Sequence, residues 1–211
     1  MKDHWRKLAA LLPLAVEKEF YRSHFNLLHR KWVKAGSGLP VSHLSKQERV
    51  KHYAKRNNVS VLVETGTYLG DMVFAMQDQF QQLFSIELSH HFYQRAVERF
   101  KKFSKVKIIK GDSGEVLKTL VPTLSSPALF WLDGHYSGGQ TAKGEKECPI
   151  FEELNNILSS PFNHIIMIDD ARLFVGEKDY PTIRELKEFI VKKKPGSEFA
   201  LENDVFVITY K

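Results

Sequence analysis

The sequence predicts an α/β fold: a mostly parallel seven-stranded sheet with helices on both faces, closed by an antiparallel hairpin and preceded by a helical N-terminal extension. Three observations predict it. From about residue 60 onward, short β-branched runs alternate with segments of helical period, the pattern of repeated β-α-β units. Val61-Leu62-Val63 and Ile165-Ile166-Met167-Ile168 are apolar without alternation, as expected of strands covered on both faces. Two final runs, 198–201 and 205–210, flank a short Glu-Asn-Asp connection that reads as a hairpin.

Taken in order, helices are expected over about 3–12 and 14–34, ending near Gly36 and Gly38. Gly36-Ser37-Gly38-Leu39-Pro40 reads as a linker, and a further helix over 45–56 leads into the body. Parallel strands are expected at 60–64, 83–87, 106–109, 128–133 and 164–169, and helices near 70–81, 89–103, 113–121, 150–159 and 181–194. The expected organisation is therefore an extension over 1–44 and a single domain over 45–211, in keeping with roughly 150 residues per domain.

Composition narrows the function classes. With 43% hydrophobic, 12% aromatic and 27% charged residues, the chain has material for a sizeable core and is not a disordered segment. Its single cysteine, Cys148, excludes an internal disulfide and a multi-thiolate zinc site, and fits a cytoplasmic protein. No apolar run approaches the roughly 18 residues of a membrane span. The stretch 8–16 has the apolar character of a secretory signal, but Pro13 interrupts it and Glu17 and Glu19 follow at once.

The net charge of +6 is unevenly placed, since residues 1–58 carry 13 Lys/Arg against 4 Asp/Glu and the remainder 18 against 21. The basic residues are scattered among Trp5, Phe20, Tyr21, Phe25 and Trp32 and form no block, which argues against nucleic acid and for a solvated or packed helical face. Apolar residues at helical spacing around Leu8, Leu11, Leu12, Phe20 and Leu27 suggest a lid or a homodimer contact.

In open α/β sheets ligands bind beyond the carboxyl ends of the strands. Here those ends are acidic. The first strand ends at Glu64 and runs into Thr65-Gly66-Thr67-Tyr68-Leu69-Gly70, whose glycines permit a tight turn that leaves helix-end amides open. The second ends at Glu87, 23 positions on, the separation at which dinucleotide folds place an acid on ribose hydroxyls. A nicotinamide cofactor needs backbone amides close to its pyrophosphate, hence a middle glycine, yet Tyr68 stands there and Glu64 would repel the phosphates. S-adenosylmethionine (SAM) has no phosphate; Glu64 attracts its amino group and sulfonium while the helix end receives its carboxylate. Asp112 and Ser113, after the third strand, suit an adenine contact and equally a helix N-cap.

With these residues in view, the body resembles the class I SAM-dependent methyltransferases, and among them the metal-dependent, catechol-type O-methyltransferases. The first loop of that family, Glu-x-Gly-x-Tyr-x-Gly, matches Glu64, Gly66, Tyr68 and Gly70. The resemblance implies a Rossmann-like sheet, a cofactor site of Glu64, Gly66, Thr67, Tyr68, Gly70, Glu87, Asp112, Ser113 and Asp133, and a divalent cation, usually magnesium, on Asp133, Asp169 and Asp170. All-carboxylate ligands favour such hard ions, and the cation would lower the acceptor's pKa and orient it. Caps and ion pairs beside Arg172 are the alternative role of the three aspartates.

The sequence departs from the family three positions after the fourth-strand aspartate, where the family's lysine base is replaced by Tyr136. His135 is the substitute, with an imidazole suited to general-base work. The polar segment 133–144 is long for a strand-to-helix connection, as functional loops often are. The expected reaction is methyl transfer from SAM to a hydroxyl of a small polar metabolite, such as a sugar or a secondary-metabolite glycoside, with Asp133 and His135 catalytic. RNA methylation through the basic arm and non-catalytic SAM binding are the alternatives.

Overall fold

The structure, a computed structural model, describes residues 4–134 and 148–210. The chain divides into two compact units, Met1–Arg49 and Val50–Lys211, with the division inside a helix.

In the first unit α1 (His4–Ala9) and α2 (Leu14–Lys34) are followed by α3 (His43–Arg56), which crosses the division. Trp5 closes the α1–α2 turn, with its ring centroid 4.8 Å from Tyr21 and 4.2 Å from His24. Phe25 stacks on His43 at 4.8 Å, and the His29 ring nitrogen Nδ1 lies 2.8 Å from Ser42 Oγ. These contacts use one face of α2; Leu8, Leu11, Phe20 and Leu27 are exposed. No helix among the described residues is long and apolar enough to cross a membrane.

In the second unit the described residues form a seven-stranded sheet. Its strands are β1 (Val61–Thr65), β2 (Gln82–Glu87), β3 (Val106–Lys110), β4 (Leu129–Leu132), β5 (Ile165–Ile168), β6 (Ser197–Glu202) and β7 (Val205–Tyr210), in the order β3-β2-β1-β4-β5-β7-β6. All pairings are parallel except those of β7. The two runs singled out for continuous apolar character lie in β1 and β5, and every residue of β4 and β5 is buried. Apolar side chains on both pleat directions demand cover on both faces, and the helices supply it.

The intervening helices are α4 (Asp71–Met76), α5 (His90–Phe100), α6 (Ser113–Leu120), α7 (Ile150–Leu158) and α8 (Ile183–Lys193). Helix α4 is much shorter than the expected 70–81. Ser60 O accepts from both Gln81 N (2.8 Å) and Gln82 N (3.3 Å), drawing the chain back to the sheet, while Phe80 sustains the apolar period by burying itself beyond the helix. Helix α8 opens with a capping box in which Thr182 and Glu185 exchange bonds. The final hairpin turns through Asn203 and Asp204, both at positive φ (45° and 66°), as a tight two-residue connection requires.

Successive strands step from β1 outward through β2 to β3, and the chain then returns to place β4 on the other side of β1. The order therefore reverses at β1 and β4, and in open α/β sheets ligands bind beyond the carboxyl ends of the strands at such a reversal.

Candidate active site

Glu64 and Glu87 lie, as expected, at the carboxyl ends of β1 and β2. Glu87 ends β2, only 6% exposed, and its two carboxylate oxygens accept from Tyr68 N and Ser89 N, each at 2.7 Å. One side chain thus fixes both the loop after β1 and the entry to α5. Parallel register sets Glu64 of β1 beside Ser85 of β2, and Ser85 Oγ and Glu64 Oε2 share a hydrogen bond. Thr67 Oγ1 lies 2.6 Å from Ser85 Oγ, so a carboxyl and two hydroxyls form a buried chain beneath the loop. Burial raises the Glu64 pKa from the usual 4.5 to about 8; Ser85 opposes the rise, Glu87 and Asp71 add to it, and Arg99 opposes it.

The loop between Glu64 and Asp71 is close-fitting. Gly66 has φ +84°, and a Cβ there would overlap the Asp133 carbonyl oxygen and lie 2.8 Å from its carbon. Tyr68, in place of a middle glycine, has φ 47°, is partly exposed and packs edge-on against Phe92 at 4.7 Å. The turn is pinned from α5 by Arg99, whose Nη1 donates to Leu69 O and to Asp71 Oδ1 (3.2 Å).

Neither a protein-family model nor a curated protein matches the sequence. Solved structures match its fold. The SAH-bound methyltransferase PaMTH1 of Podospora anserina aligns over 90% of this chain and 87% of its own, with a TM-score of 0.57 and 18% identity. The O-methyltransferase TomG of Streptomyces achromogenes, in complex with SAM, aligns over 90% and 88% at 0.60 and 16%. An O-methyltransferase of Bacillus cereus, in complex with SAH, aligns over 90% and 91% at 0.60 and 11%. The chain has the class I methyltransferase fold.

On this methyltransferase fold the remaining expected residues are distributed unevenly. Asp112 is the N-cap of α6, its Oδ1 accepting from Gly114 N (2.9 Å) and Glu115 N (3.3 Å), with Ser113 buried behind it; the capping alternative is the observed geometry. Asp133 follows β4, with its amide donating to Thr65 O at 3.1 Å, and Asp169 follows β5 with its amide donating to Leu132 O at 3.0 Å. The two carboxylates therefore terminate adjacent strands. Asp170 shows the alternative role, an ion pair with Arg172. It sits at φ 51° as the chain turns into a short helical segment over Ala171–Leu173, and Arg172 Nη1 donates to its Oδ1 at 2.8 Å. The same guanidinium meets Asp204 of the hairpin turn, which also accepts from Arg172 N at 2.8 Å.

Among the described residues no group of three or more His, Cys, Asp or Glu side chains is arranged to hold a metal ion, and Asp170 is paired with Arg172. Asp133 and Asp169, hard oxygen donors at neighbouring strand ends, fit a divalent cation chemically; Asp170 as paired does not. His135 and the rest of the expected loop from 135 to 144 lie outside the described residues.

Sequence reasoning missed Ser85, Arg99, Thr65 and Glu153. Thr65 Oγ1 is buried and has no hydrogen-bond partner among the described residues. A Cβ at Gly134 would lie 3.0 Å from that oxygen and 3.4 Å from Oε1 of Glu153, a buried acid on α7. Only the Thr65 position, directly after Glu64, carried a sequence signal; the others depend on packing between elements distant in the chain.

Proposed function

We propose that the chain transfers a methyl group from SAM to a hydroxyl of a small polar metabolite, a sugar or secondary-metabolite glycoside being the class to test first. The observation that carries this reading is the pair of buried acids, Glu64 and Glu87, around a loop that has a tyrosine where a pyrophosphate-binding loop needs glycine. Glu87, already oriented by two amides, has lone pairs left for the ribose hydroxyls, and Glu64 offers an anion to the methionine ammonium. Gly66, Thr67, Tyr68 and Gly70 supply the close wall, and Asp112 and Ser113 border the adenine.

When bound, SAM supplies an electrophilic methyl group for in-line displacement by the acceptor oxygen. In this reading His135 takes the acceptor's proton and Asp133 orients the acceptor. Asp133 and Asp169 are the residues that would hold a divalent cation, magnesium first, to polarise the hydroxyl, with Asp170 joining them only on leaving Arg172. The exposed apolar residues of the first unit support assigning it a homodimer contact, which sedimentation of a chain lacking residues 1–40 tests. A cytoplasmic setting is part of the reading and rests on the one free cysteine.

The test is mass spectrometry of small molecules released from protein purified without added cofactor, followed by methyl transfer to a panel of hydroxyl acceptors. SAM or SAH in the first step and a methylated hydroxyl in the second are the expected results. A bound nicotinamide nucleotide overturns the reading.

A further inference from the structure

We propose that Glu64, Ser85 and Thr67 form a reversible hydrogen-bond chain that reads the charge of the ligand's amino-acid end, so that binding of the cofactor's ammonium expels one proton from Glu64. The inference rests on the SAM reading above and assigns to Ser85 and Thr67 a positioning role that the cofactor site alone does not give them.

The geometry allows two directions. With Glu64 protonated, its O–H donates to Ser85, which donates to Thr67, leaving the Thr67 hydrogen to be donated onward. With Glu64 ionised the carboxylate can only accept, so Ser85 donates to Glu64 and Thr67 donates to Ser85. Thr67 then turns acceptor lone pairs outward, and a ligand that presents N–H donors selects this second direction. All three side chains are buried, the Glu64–Ser85 link falls between residues set side by side by the β1–β2 register and the Ser85–Thr67 link reaches from β2 to the loop after β1, so water does not compete for the oxygens.

The resting state is the protonated one. Glu64 faces Glu87 from β2 and Asp71 from α4, two like charges, against Arg99 alone from α5, while its β4 neighbour is the uncharged Trp131. Arg99 is itself engaged with Leu69 O and Asp71. With burial dominant, the carboxyl keeps its proton to about pH 8. An ammonium brought against it reverses the balance, the proton leaves for bulk buffer, and no covalent bond other than O–H is broken.

The test is calorimetry of SAH binding to the full chain between pH 6 and pH 7, in two buffers of different ionisation enthalpy. In this range the ligand's amino group, which belongs to a free amino acid and is more basic than the roughly 7.7–8.0 of a peptide α-amino group, stays charged. The expected result is release of about 0.9 proton or more per SAH, and an affinity that rises about tenfold per pH unit. Glu64→Gln, nearly isosteric and uncharged, should release none and bind with a flat pH profile. Ser85→Ala removes the bond that favours the charged form, so its rise in affinity should move to higher pH; a merely structural role would lower affinity equally at every pH. SAH binding by the unsubstituted protein without proton release and without pH dependence overturns the proposal while leaving the SAM reading intact. Failure to bind SAM or SAH at any pH overturns both.

Discussion

Replacing Gly66 with alanine separates two costs that the loop imposes. The first is conformational: φ of +84° is a region alanine enters at about 1–2 kcal/mol. The second is steric, because the new methyl would meet the Asp133 carbonyl and lie 3.1 Å from Gly134 Cα, backbone atoms that cannot rotate away as a side chain can. Relieving it requires the end of β4 or the loop to shift, an overpacking cost of about 1–3 kcal/mol. Gly196 isolates the first cost, since its φ is +89° and nothing lies within 4 Å of its missing Cβ. In urea unfolding at pH 7, Gly196→Ala should lose about 1–2 kcal/mol and Gly66→Ala about 2–5 kcal/mol. The shift should also pull Tyr68 N from Glu87, so SAH affinity by calorimetry should fall about tenfold or more in Gly66→Ala and stay unchanged in Gly196→Ala. Equal stability losses in the two variants, with undiminished SAH binding by Gly66→Ala, would refute the claim that this approach of loop to strand shapes the site.

Three further outcomes are expected. Glu87→Gln places an amide NH₂ against one of two backbone donors and weakens the ribose contact, so SAH affinity should drop by roughly 10- to 100-fold with the circular dichroism spectrum preserved; unchanged affinity removes Glu87 from the cofactor site. Burial, helped by Lys194, lowers the His164 pKa from 6.5 to about 4, and the neutral ring accepts from Ala128 N at Nδ1 (3.0 Å) and donates to Ser160 Oγ from Nε2 (2.8 Å). The unfolded chain binds a proton below about pH 6.5 that the folded ring refuses, so this stabilisation is complete above 6.5 and is lost as the pH falls toward 4. Unfolding free energies should show up to about 3 kcal/mol of loss in that window, absent in His164→Gln. Finally, Asp169→Asn should abolish divalent-cation-dependent methyl transfer while SAH affinity stays within about threefold, because in the proposed reading the cofactor is held mainly at the ends of β1 to β3; full turnover in excess chelator refutes the cation assignment.

Much of the sheet was legible because a strand buried on both faces has few compositional alternatives: β4 and β5 sit inside the expected 128–133 and 164–169, trimmed at their ends. Helix α4 was overestimated because Phe80 continues the apolar period after the backbone has left the helix. Glu64 and Glu87 were legible as strand-terminal acids. The partner of Glu64 was not, since Ser85 becomes its neighbour only through the β1–β2 register. Asp170 shows the same limit from the other side. The sequence offers an ion pair beside Arg172 as the alternative role of this carboxylate, but Asp204, 34 residues later, gives no local sign that it holds the same guanidinium.

Strand β7 lies between β5 and β6, with Val207 paired to Met167 on one side and to Ala200 on the other. During vectorial synthesis, β1 to β5 and their helices are made before this strand exists. Until residues 205–210 arrive, the row of backbone groups along the outer side of β5 has no sheet partner, and Phe206 and Ile208 are missing from the core. A nascent chain at that stage offers an apolar open edge to other chains. A released chain truncated before residue 205 should therefore be bound by chaperones, and one that extends through residue 210 should not.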